Sequence, residues 1–180
     1  HFHSFPLVDG SSRDKAVELT QVLDMYQSGI TLALVPFADI QKEIILSIPG
    51  PYRIIAYRRF MARIAEKIAL EHGAKALVTG ESLGQVGSQT LDNVVTIRAA
   101  TTLPILSPLI GMDKLEIIDA AKRIGTYEIS IIPDEDCCTL FVPRHPATKS
   151  TTQQMEVLES NLDISSMVDK AHSETRILRY

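Results

Sequence analysis

The stretch Ala74–Thr90, with the sequence AKALVTGESLGQVGSQT, passes from a short apolar segment into a glycine-rich turn. Residues 74–79 predict a buried strand that ends at Gly80, and residues 82–100 predict a segment that is wholly or partly helical. The glycines would let the backbone approach a ligand closely, and free N–H groups at the start of a helix favour an anion. A tight strand-to-helix turn without a ligand is the alternative, and the pattern leaves both interpretations open.

On both sides of this stretch, apolar segments of strand character alternate with segments of helical periodicity. Helices are predicted for residues 14–27, 38–48, 52–72 and 113–124 and from about residue 151 to the end, and strands for residues 1–5, 30–37, 103–109 and 127–132. Because the strands are apolar throughout, they favour an α/β fold with helices flanking a parallel sheet. Ligands bind beyond the carboxyl ends of such strands. The candidate site loops therefore follow Phe5, Phe37, Gly80 and Ile132.

The composition indicates an ordinary globular domain. The 180 residues, 45% hydrophobic and 22% charged, suit one domain with a buried core. A formal net charge of -4 argues against a protein that grips nucleic acid through its overall charge, although residues 140–149 contain no acid and form a small basic patch. The absence of a signal peptide and of a bilayer-spanning apolar run predicts a cytoplasmic protein without membrane association.

Arg58 shares one face of the predicted helix 52–72 with apolar side chains such as Ile54 and Met61. An unpaired buried charge is expensive, so its guanidinium group needs a partner. A bound phosphate fits the guanidinium fork, and an internal carboxylate or exposure at the edge of the apolar stripe are the alternatives.

Lys114 follows Asp113, the predicted N-cap of the helix 113–124, where Glu116 would complete a capping box. The helix dipole does not stabilise a cation at this end of a helix. The position of Lys114 therefore indicates either the neutralisation of a bound phosphate or an ordinary surface lysine.

Cys137 and Cys138 are the two cysteines of the chain and follow the acidic residues 134–136. One of them is a plausible sulfur nucleophile, although the acids would raise the pKa of a thiol while the basic residues 144–149 would oppose that effect. The alternatives are two small apolar side chains that cap the core and a redox pair, which the missing Cys-x-x-Cys spacing disfavours. Adjacent cysteines do not form a disulfide framework.

No metal site is predicted. His1 and His3 flank Phe2 at a strand end, but no further ligand is close in the sequence, and two cysteines fall short of a structural zinc site. A structural or nucleotide-packing role is favoured for this strand end.

Together these segments resemble the tRNA 4-thiouridine synthetase family, also called thiamine biosynthesis sulfurtransferases. The resemblance covers nearly the whole chain and is carried by residues 1–6 (HFHSFP), 57–61 (YRRFM), 80–90, 108–114 (PLIGMDK) and 135–138 (EDCC). It implies an adenine nucleotide α-hydrolase-like (PP-loop) fold. It further implies activation of a tRNA uridine by adenylation with ATP, which Mg²⁺ would accompany, and sulfur from a persulfide delivered by a cysteine desulfurase. Sulfur would also be supplied to thiamine thiazole synthesis.

The resemblance also assigns roles to individual residues. Lys114 would assist adenylation, and Cys138, with Cys137 as its neighbour, would be the functional cysteine of its loop. The ATP contacts would be His1, Phe2, Arg58, Gly80 and Gln89.

The sequence departs from the family pattern in one respect. The family's phosphate-gripping Ser-Gly-Gly-x-Asp-Ser run is absent from the 180 residues. We therefore expect residues 1–180 to be a partial PP-loop domain that lacks its first strand and loop, contains no THUMP or rhodanese-like domain and is inactive alone. We expect a companion N-terminal fragment that supplies the missing part, swapping between chains, or exposed strand edges that promote association, as in a homodimer. The alternative function is a non-catalytic nucleotide-binding or subunit-contact module.

Overall fold

The computed structural model describes residues 1–133 and 145–180, and helices flank two small β-sheets in it. The predicted α/β class is confirmed. The strands are β1 (Phe2–His3), β2 (Thr31–Pro36), β3 (Leu77–Val78), β4 (Ile105–Leu106) and β5 (Arg176–Arg179). The helices are α1 (Ser11–Asp24), α2 (Ala38–Ser47), α3 (Arg53–Glu71), α4 (Leu91–Arg98), α5 (Lys114–Arg123), α6 (Tyr127–Ser130), α7 (Thr152–Glu159) and α8 (Ile164–Ser173). Across the described ranges, no helix combines the length and apolar character needed to cross a membrane.

The first sheet has the strand order β1-β2-β5. β1 runs parallel to β2, with Phe2 opposite Val35, whereas β5 runs antiparallel to β2, with Leu32 opposite Leu178. The prediction of helix from about residue 151 to the end is therefore wrong in its last part, because α7 and α8 are followed by a strand. β5 satisfies backbone groups along β2 that would otherwise form an open edge.

The second sheet consists of β3 and β4, which run parallel, with Val78 opposite Leu106. Among the described residues no ladder joins this sheet to the first one. Directly paired residues point to the same face, and the side chains of Val78 and Leu106 are 69% and 56% exposed. One face of the second sheet is therefore apolar and open.

The strand predicted for residues 127–132 is wrong, because this segment forms the short helix α6. Gly125, at φ +76°, reverses the chain after α5. The Ser130 hydroxyl then donates to the carbonyl oxygen of Thr126 at 2.6 Å, and the Lys15 ammonium group donates to the carbonyl oxygens of Ser130 and Ile132. These bonds favour a helical turn over the β-propensity of the segment. The loop after Ile132 consequently does not follow a strand.

The segment 82–100 is helical only in its second half, which is α4. The Thr90 side chain caps this helix and accepts a hydrogen bond from the N–H of Asn93 at 3.3 Å. Gly84, at φ +77°, needs the conformational freedom of glycine within the turns that precede the cap. The glycine segment, residues 80–90, is therefore a loop between β3 and α4.

Helix α3 forms the centre of the core. Its Tyr57 and Phe60 side chains are completely buried, and it contacts α2, α4 and α8. Aromatic rings extend the core to β1, since the ring of Phe37 lies 5.5 Å from that of Phe2 and 6.1 Å from that of Tyr57, both edge-on. Such a pair adds about 0.5–1.5 kcal/mol to the burial of its rings. This packing fixes α3, and with it Arg58, relative to β1.

Candidate active site

A buried carboxylate, Glu81, lies where β3 and β4 end. It is 4% exposed and accepts hydrogen bonds from the hydroxyls of Thr79 at 3.2 Å and Ser107 at 3.3 Å. Arg58 from α3 forms an ion pair with the same carboxylate, and Nη2 of Arg98 from α4 lies 3.7 Å from its Oε2 atom. Two guanidinium groups against one carboxylate leave a net positive charge, which suits an anionic ligand. We call Arg58, Glu81 and Arg98 the Glu81 cluster.

The structure decides which partner Arg58 has. Its Nη2 atom donates to Glu81, and its Nη1 atom lies 3.5 Å from the carbonyl oxygen of Ser88 in the glycine segment. The internal carboxylate, one of the alternatives from the sequence, is thus present. The side chain is 18% exposed, so a ligand at the strand ends still has access to it. The phosphate contact of Arg58 stays a prediction.

In the glycine segment, the backbone is accessible at Gly80, and one buried hydrogen-bond acceptor has no partner among the described residues. Gly80 is exposed, and a Cβ added to it would meet nothing within 4 Å, so a ligand could approach its backbone. The N–H of Gly84 donates to the carbonyl oxygen of Gln89 at 3.0 Å, and the N–H of Gln89 to that of Val86 at 2.9 Å. Oε1 of Gln89 is buried and has no hydrogen-bond partner among the described residues. A ligand N–H group would satisfy it, and without one the burial is unfavourable.

The amino-terminal strand end lies on the aromatic part of the core. Phe2 is half-buried against Phe37, and the α-amino group of His1 donates to the carbonyl oxygen of Ala33 at 2.7 Å. Burial lowers the pKa of His3, and the charge of Arg13 lowers it further. His3 therefore favours the neutral imidazole.

Lys114 is exposed in the first turn of α5. The predicted capping box is confirmed, because Asp113 accepts from the N–H of Glu116 while Glu116 accepts from the N–H of Asp113. The residues before this cap are bonded to the glycine segment, since the Ser82 hydroxyl donates to the carbonyl oxygen of Met112 at 2.8 Å. The structure thus links the start of α5 to the glycine segment.

Cys137 and Cys138 lie outside the described residues. The chain is described again from His145, and residues 146–150 pack on the glycine segment and α4. A Cβ added to Gly87 would lie 3.4 Å from Cγ of Pro146, so glycine permits this close approach. In the two described ranges no group of three or more His, Cys, Asp or Glu side chains is arranged to hold a metal ion.

Glu81, Arg98 and Asn93 are site residues that the sequence analysis missed. Glu81 could have been found, because it directly follows Gly80 at a predicted strand end and an internal carboxylate was one possible partner for Arg58. Arg98 and Asn93 gave no such signal. Their partners lie directly after β4 and in the segment 146–150, which only the tertiary structure brings near them.

Comparisons with known proteins identify the family of this chain. The sequence model of the family described as thiamine biosynthesis protein (ThiI) matches residues 1–164. A probable tRNA sulfurtransferase of Thermus thermophilus is 50% identical over 180 residues, which are 100% of this chain and 44% of that protein. Its counterpart from Acetivibrio thermocellus is 48% identical over 178 residues, which are 99% of this chain and 45% of that protein.

A solved structure is also similar, namely the crystal structure of a 4-thiouridine synthetase–RNA complex with bound ATP. The TM-score is 0.94 and the identity 40%, over 99% of this chain and 47% of that chain. This likeness confirms the predicted PP-loop fold. The chain spans less than half the length of these relatives. With nearly all of its residues matched by the family model, the chain belongs to the ThiI family.

Proposed function

We propose that this chain belongs to an ATP-dependent tRNA sulfurtransferase that converts a tRNA uridine to 4-thiouridine. The main support is the Glu81 cluster, whose net positive charge lies beside the glycine segment where β3 and β4 end. The similar 4-thiouridine synthetase was solved with RNA and bound ATP, which supports a nucleotide as the class of ligand. Because the chain covers only 47% of that structure, the proposed activity is that of the full-length protein.

The residues present fit an adenine nucleotide. The unpartnered Oε1 atom of Gln89 would accept a hydrogen bond from the adenine amino group, and the open backbone at Gly80 would let the base approach. The ring of Phe2, with His1 beside it, would pack against the nucleoside. ATP would supply the adenylyl group that activates the uridine, with Mg²⁺ accompanying its phosphates.

The cations of the site have distinct proposed tasks. Arg58 would direct its exposed part at a phosphate oxygen, since Glu81 fixes the other side of its guanidinium group. Lys114, at the start of α5, would stabilise the charge that develops during adenylation.

Cys138 is the proposed sulfur-handling residue, with Cys137 as its neighbour. The terminal sulfur of a persulfide delivered by a cysteine desulfurase would attack the adenylated carbon of uridine and release AMP. A second thiol would then cleave the S–S bond, which frees 4-thiouridine and leaves a disulfide. The same persulfide source would also supply sulfur to thiazole synthesis for thiamine. The compartment would be the cytoplasm, where tRNA and the desulfurase are available.

Residues 1–180 would form a partial PP-loop domain, without a THUMP or rhodanese-like domain within them. A companion N-terminal fragment would supply the phosphate-gripping loop, and exposed strand edges would favour a homodimer. The separation of the two sheets is consistent with this arrangement, because β1 and β3 each have an edge without a ladder among the described residues.

Replacement of Cys138 tests the proposal. In the full-length protein, Cys138→Ser should lower 4-thiouridine formation by at least about a hundredfold, because a hydroxyl cannot carry the persulfide. Nucleoside analysis of tRNA measures the product, and a filter-binding assay should show unchanged tRNA binding. The matched variant Cys137→Ser should retain most of the activity. Wild-type 4-thiouridine yield from Cys138→Ser would contradict the assignment of this residue.

A further inference from the structure

Arg98, at the end of α4, is the cation of the Glu81 cluster to which the proposed reaction assigns no task. Its Nη2 atom donates to the hydroxyl of Ser107 at 2.7 Å and lies 3.7 Å from Oε2 of Glu81. Its Nε atom is buried and has no hydrogen-bond partner among the described residues. The side chain is 38% exposed. The protein therefore leaves this guanidinium group with an unused donor and open to solvent.

The guanidinium group of Arg98 lies at the edge of the second sheet where ligands are expected. Ser107 directly follows β4 and Thr79 directly follows β3, and their hydroxyl oxygens are 2.7 Å apart. Glu81 accepts a hydrogen bond from each of these hydroxyls. Arg98 therefore reaches the carboxyl ends of both strands, and ligands of α/β folds bind at this edge.

The two arginines of the Glu81 cluster share one negative charge unequally. Arg58 forms the closer ion pair with Glu81, and its side chain is 18% exposed, against 38% for Arg98. One carboxylate can compensate only one of the two guanidinium groups. Two like charges beside a buried carboxylate repel each other, and a second anion would relieve that repulsion. The uncompensated charge of the cluster therefore lies on its more exposed side, at Arg98.

The bond to Ser107 does not require a positive charge. A neutral amide donor of similar reach could bind the same hydroxyl and would add no charge to the two-arginine cluster. A purely structural role would thus be met by a side chain that avoids the repulsion. The charge of Arg98 points to a further ligand.

We propose that Arg98 is a second phosphate-binding residue of this site and acts beside Arg58. The inference rests on the proposed function, in which Arg58 contacts a phosphate oxygen of ATP. A guanidinium group suits such a ligand, because its donors match the spacing of phosphate oxygens. The phosphate belongs to the nucleotide or to the tRNA backbone, which present the same chemistry to an arginine.

Two substitutions in the full-length protein separate the charge of Arg98 from its hydrogen bond. Arg98→Gln keeps a donor for Ser107 but removes the charge, whereas Arg98→Lys keeps the charge. Arg123→Gln is the matched control, because Arg123 is also a basic residue in the last turn of a helix and is exposed. ATP–pyrophosphate exchange at saturating tRNA gives kcat and the KM for ATP, and filter binding at several salt concentrations gives the affinity for tRNA.

The two sources of phosphate give different results. If ATP supplies it, Arg98→Gln should raise the KM for ATP by at least about tenfold with little change in kcat, because a contact to bound ATP is lost. Arg98→Lys should raise this KM less, and Arg123→Gln should leave it unchanged. If tRNA supplies the phosphate, Arg98→Gln should instead weaken tRNA binding by about tenfold and lower its salt slope by about one. A wild-type KM for ATP together with wild-type tRNA affinity would overturn the phosphate-binding role, even if kcat falls.

Chemical modification of the wild-type protein decides the question if Arg98→Gln does not fold. Phenylglyoxal modifies accessible arginine side chains, and peptide mass spectrometry measures the modified fraction at Arg98 and at Arg123. ATP or tRNA should slow the modification of Arg98 and leave that of Arg123 unchanged. Equal modification of Arg98 with and without both ligands would overturn the inference alone, since the wild-type protein would still be active. A wild-type protein that catalyses no exchange and forms no 4-thiouridine would overturn the proposed function itself.

Discussion

Arg58 and Arg59 are neighbours on α3 that have different surroundings. Arg59 is completely buried, and its Nε and Nη2 atoms donate to the two carboxylate oxygens of Glu159 at 2.7 and 3.1 Å. Its Nη1 atom donates to the carbonyl oxygen of Thr96 at 2.6 Å. The protein thus occupies every side of this guanidinium group, whereas Arg58 is partly open at the strand ends. Burial therefore separates a structural arginine from a candidate ligand-binding one.

In the full-length protein, Arg58→Ala should lower ATP–pyrophosphate exchange by about a hundredfold. The substitution removes one of two cations from the Glu81 cluster and leaves a buried carboxylate next to the proposed position of the phosphates. The charge of the site then changes from net positive to neutral, which disfavours the triphosphate.

The control for this experiment is Arg123→Ala. Arg123 is an exposed arginine at the end of α5, and its removal should leave exchange unchanged. An exchange rate of Arg58→Ala within twofold of wild type would contradict a phosphate role for Arg58, with the factor set by ordinary surface effects of about 0.5 kcal/mol.

The periodicity of apolar residues and the positions of glycines identified some site residues from the sequence. The residues that contact them in the folded structure could not be identified in this way. Arg58 was a candidate because a cation on an apolar stripe needs a partner. Gly80 was a candidate because it ends a predicted strand. Asn93 could not be recognised from the sequence alone, because its partners Ala147 and Ser150 lie more than 50 residues further along the chain.

At the scale of elements, the periodicity of apolar residues was sufficient to predict those helices and strands whose apolar faces pack in the core. The helices α1, α2, α3 and α5 and the strands β2, β3 and β4 lie where apolar patterns predict them. Periodicity was insufficient for α6, because hydrogen bonds from Lys15 stabilise a helical turn there despite the β-branched residues of the segment 127–132. Periodicity was also insufficient for β5. This segment forms a strand because it pairs with the edge of β2, and that edge exists only in the folded sheet.

The Arg59–Glu159 contact joins α3 to α7, and Glu159→Ala should lower the free energy of unfolding by about 3–5 kcal/mol. The substitution leaves Arg59 buried without a countercharge and also removes the partner of Arg63, whose Nη2 atom lies 2.6 Å from the same carboxylate. A urea denaturation curve of the full-length protein measures the change.

Glu156→Ala provides the matched control, since Glu156 is exposed on the same helix. It should change the free energy of unfolding by less than about 0.5 kcal/mol. A similar small change in Glu159→Ala would mean that the buried ion pair does not hold α7 in place.

At the scale of the whole molecule, two separate sheets share one set of helices. Helix α3 contacts β3 of the second sheet, and its Tyr57 ring contacts the ring of Phe37, which directly follows β2. The described residues contain no ladder between β1 and β3. The Glu81 cluster belongs to the second sheet and the aromatic contacts of Phe2 to the first. A nucleotide that contacted both sheets would therefore depend on the packing of α3 for the relative position of its two groups of contacts.

The 180-residue chain by itself should bind ATP at least about tenfold more weakly than the full-length protein, because the chain contains no Ser-Gly-Gly-x-Asp-Ser run to grip the phosphates. Adenosine should bind both proteins with the same affinity, since the contacts proposed for the base lie within these residues. Isothermal titration calorimetry with each ligand measures the difference. Equal ATP affinities for the two proteins would contradict the proposed division of the site.

The pairing of β2 with β5 affects how the protein folds during its synthesis on the ribosome. Leu32 on β2 pairs with Leu178 on β5, so this pairing can form only after Leu178 has been translated. β2, the central strand of the first sheet, therefore lacks one neighbouring strand while the residues between them are synthesised. Until then β2 presents an apolar edge with unpaired backbone groups to the solvent, and such edges promote association with other chains. A chain truncated after α8 would leave this edge open, so residues 176–179 should be important for the solubility of the protein.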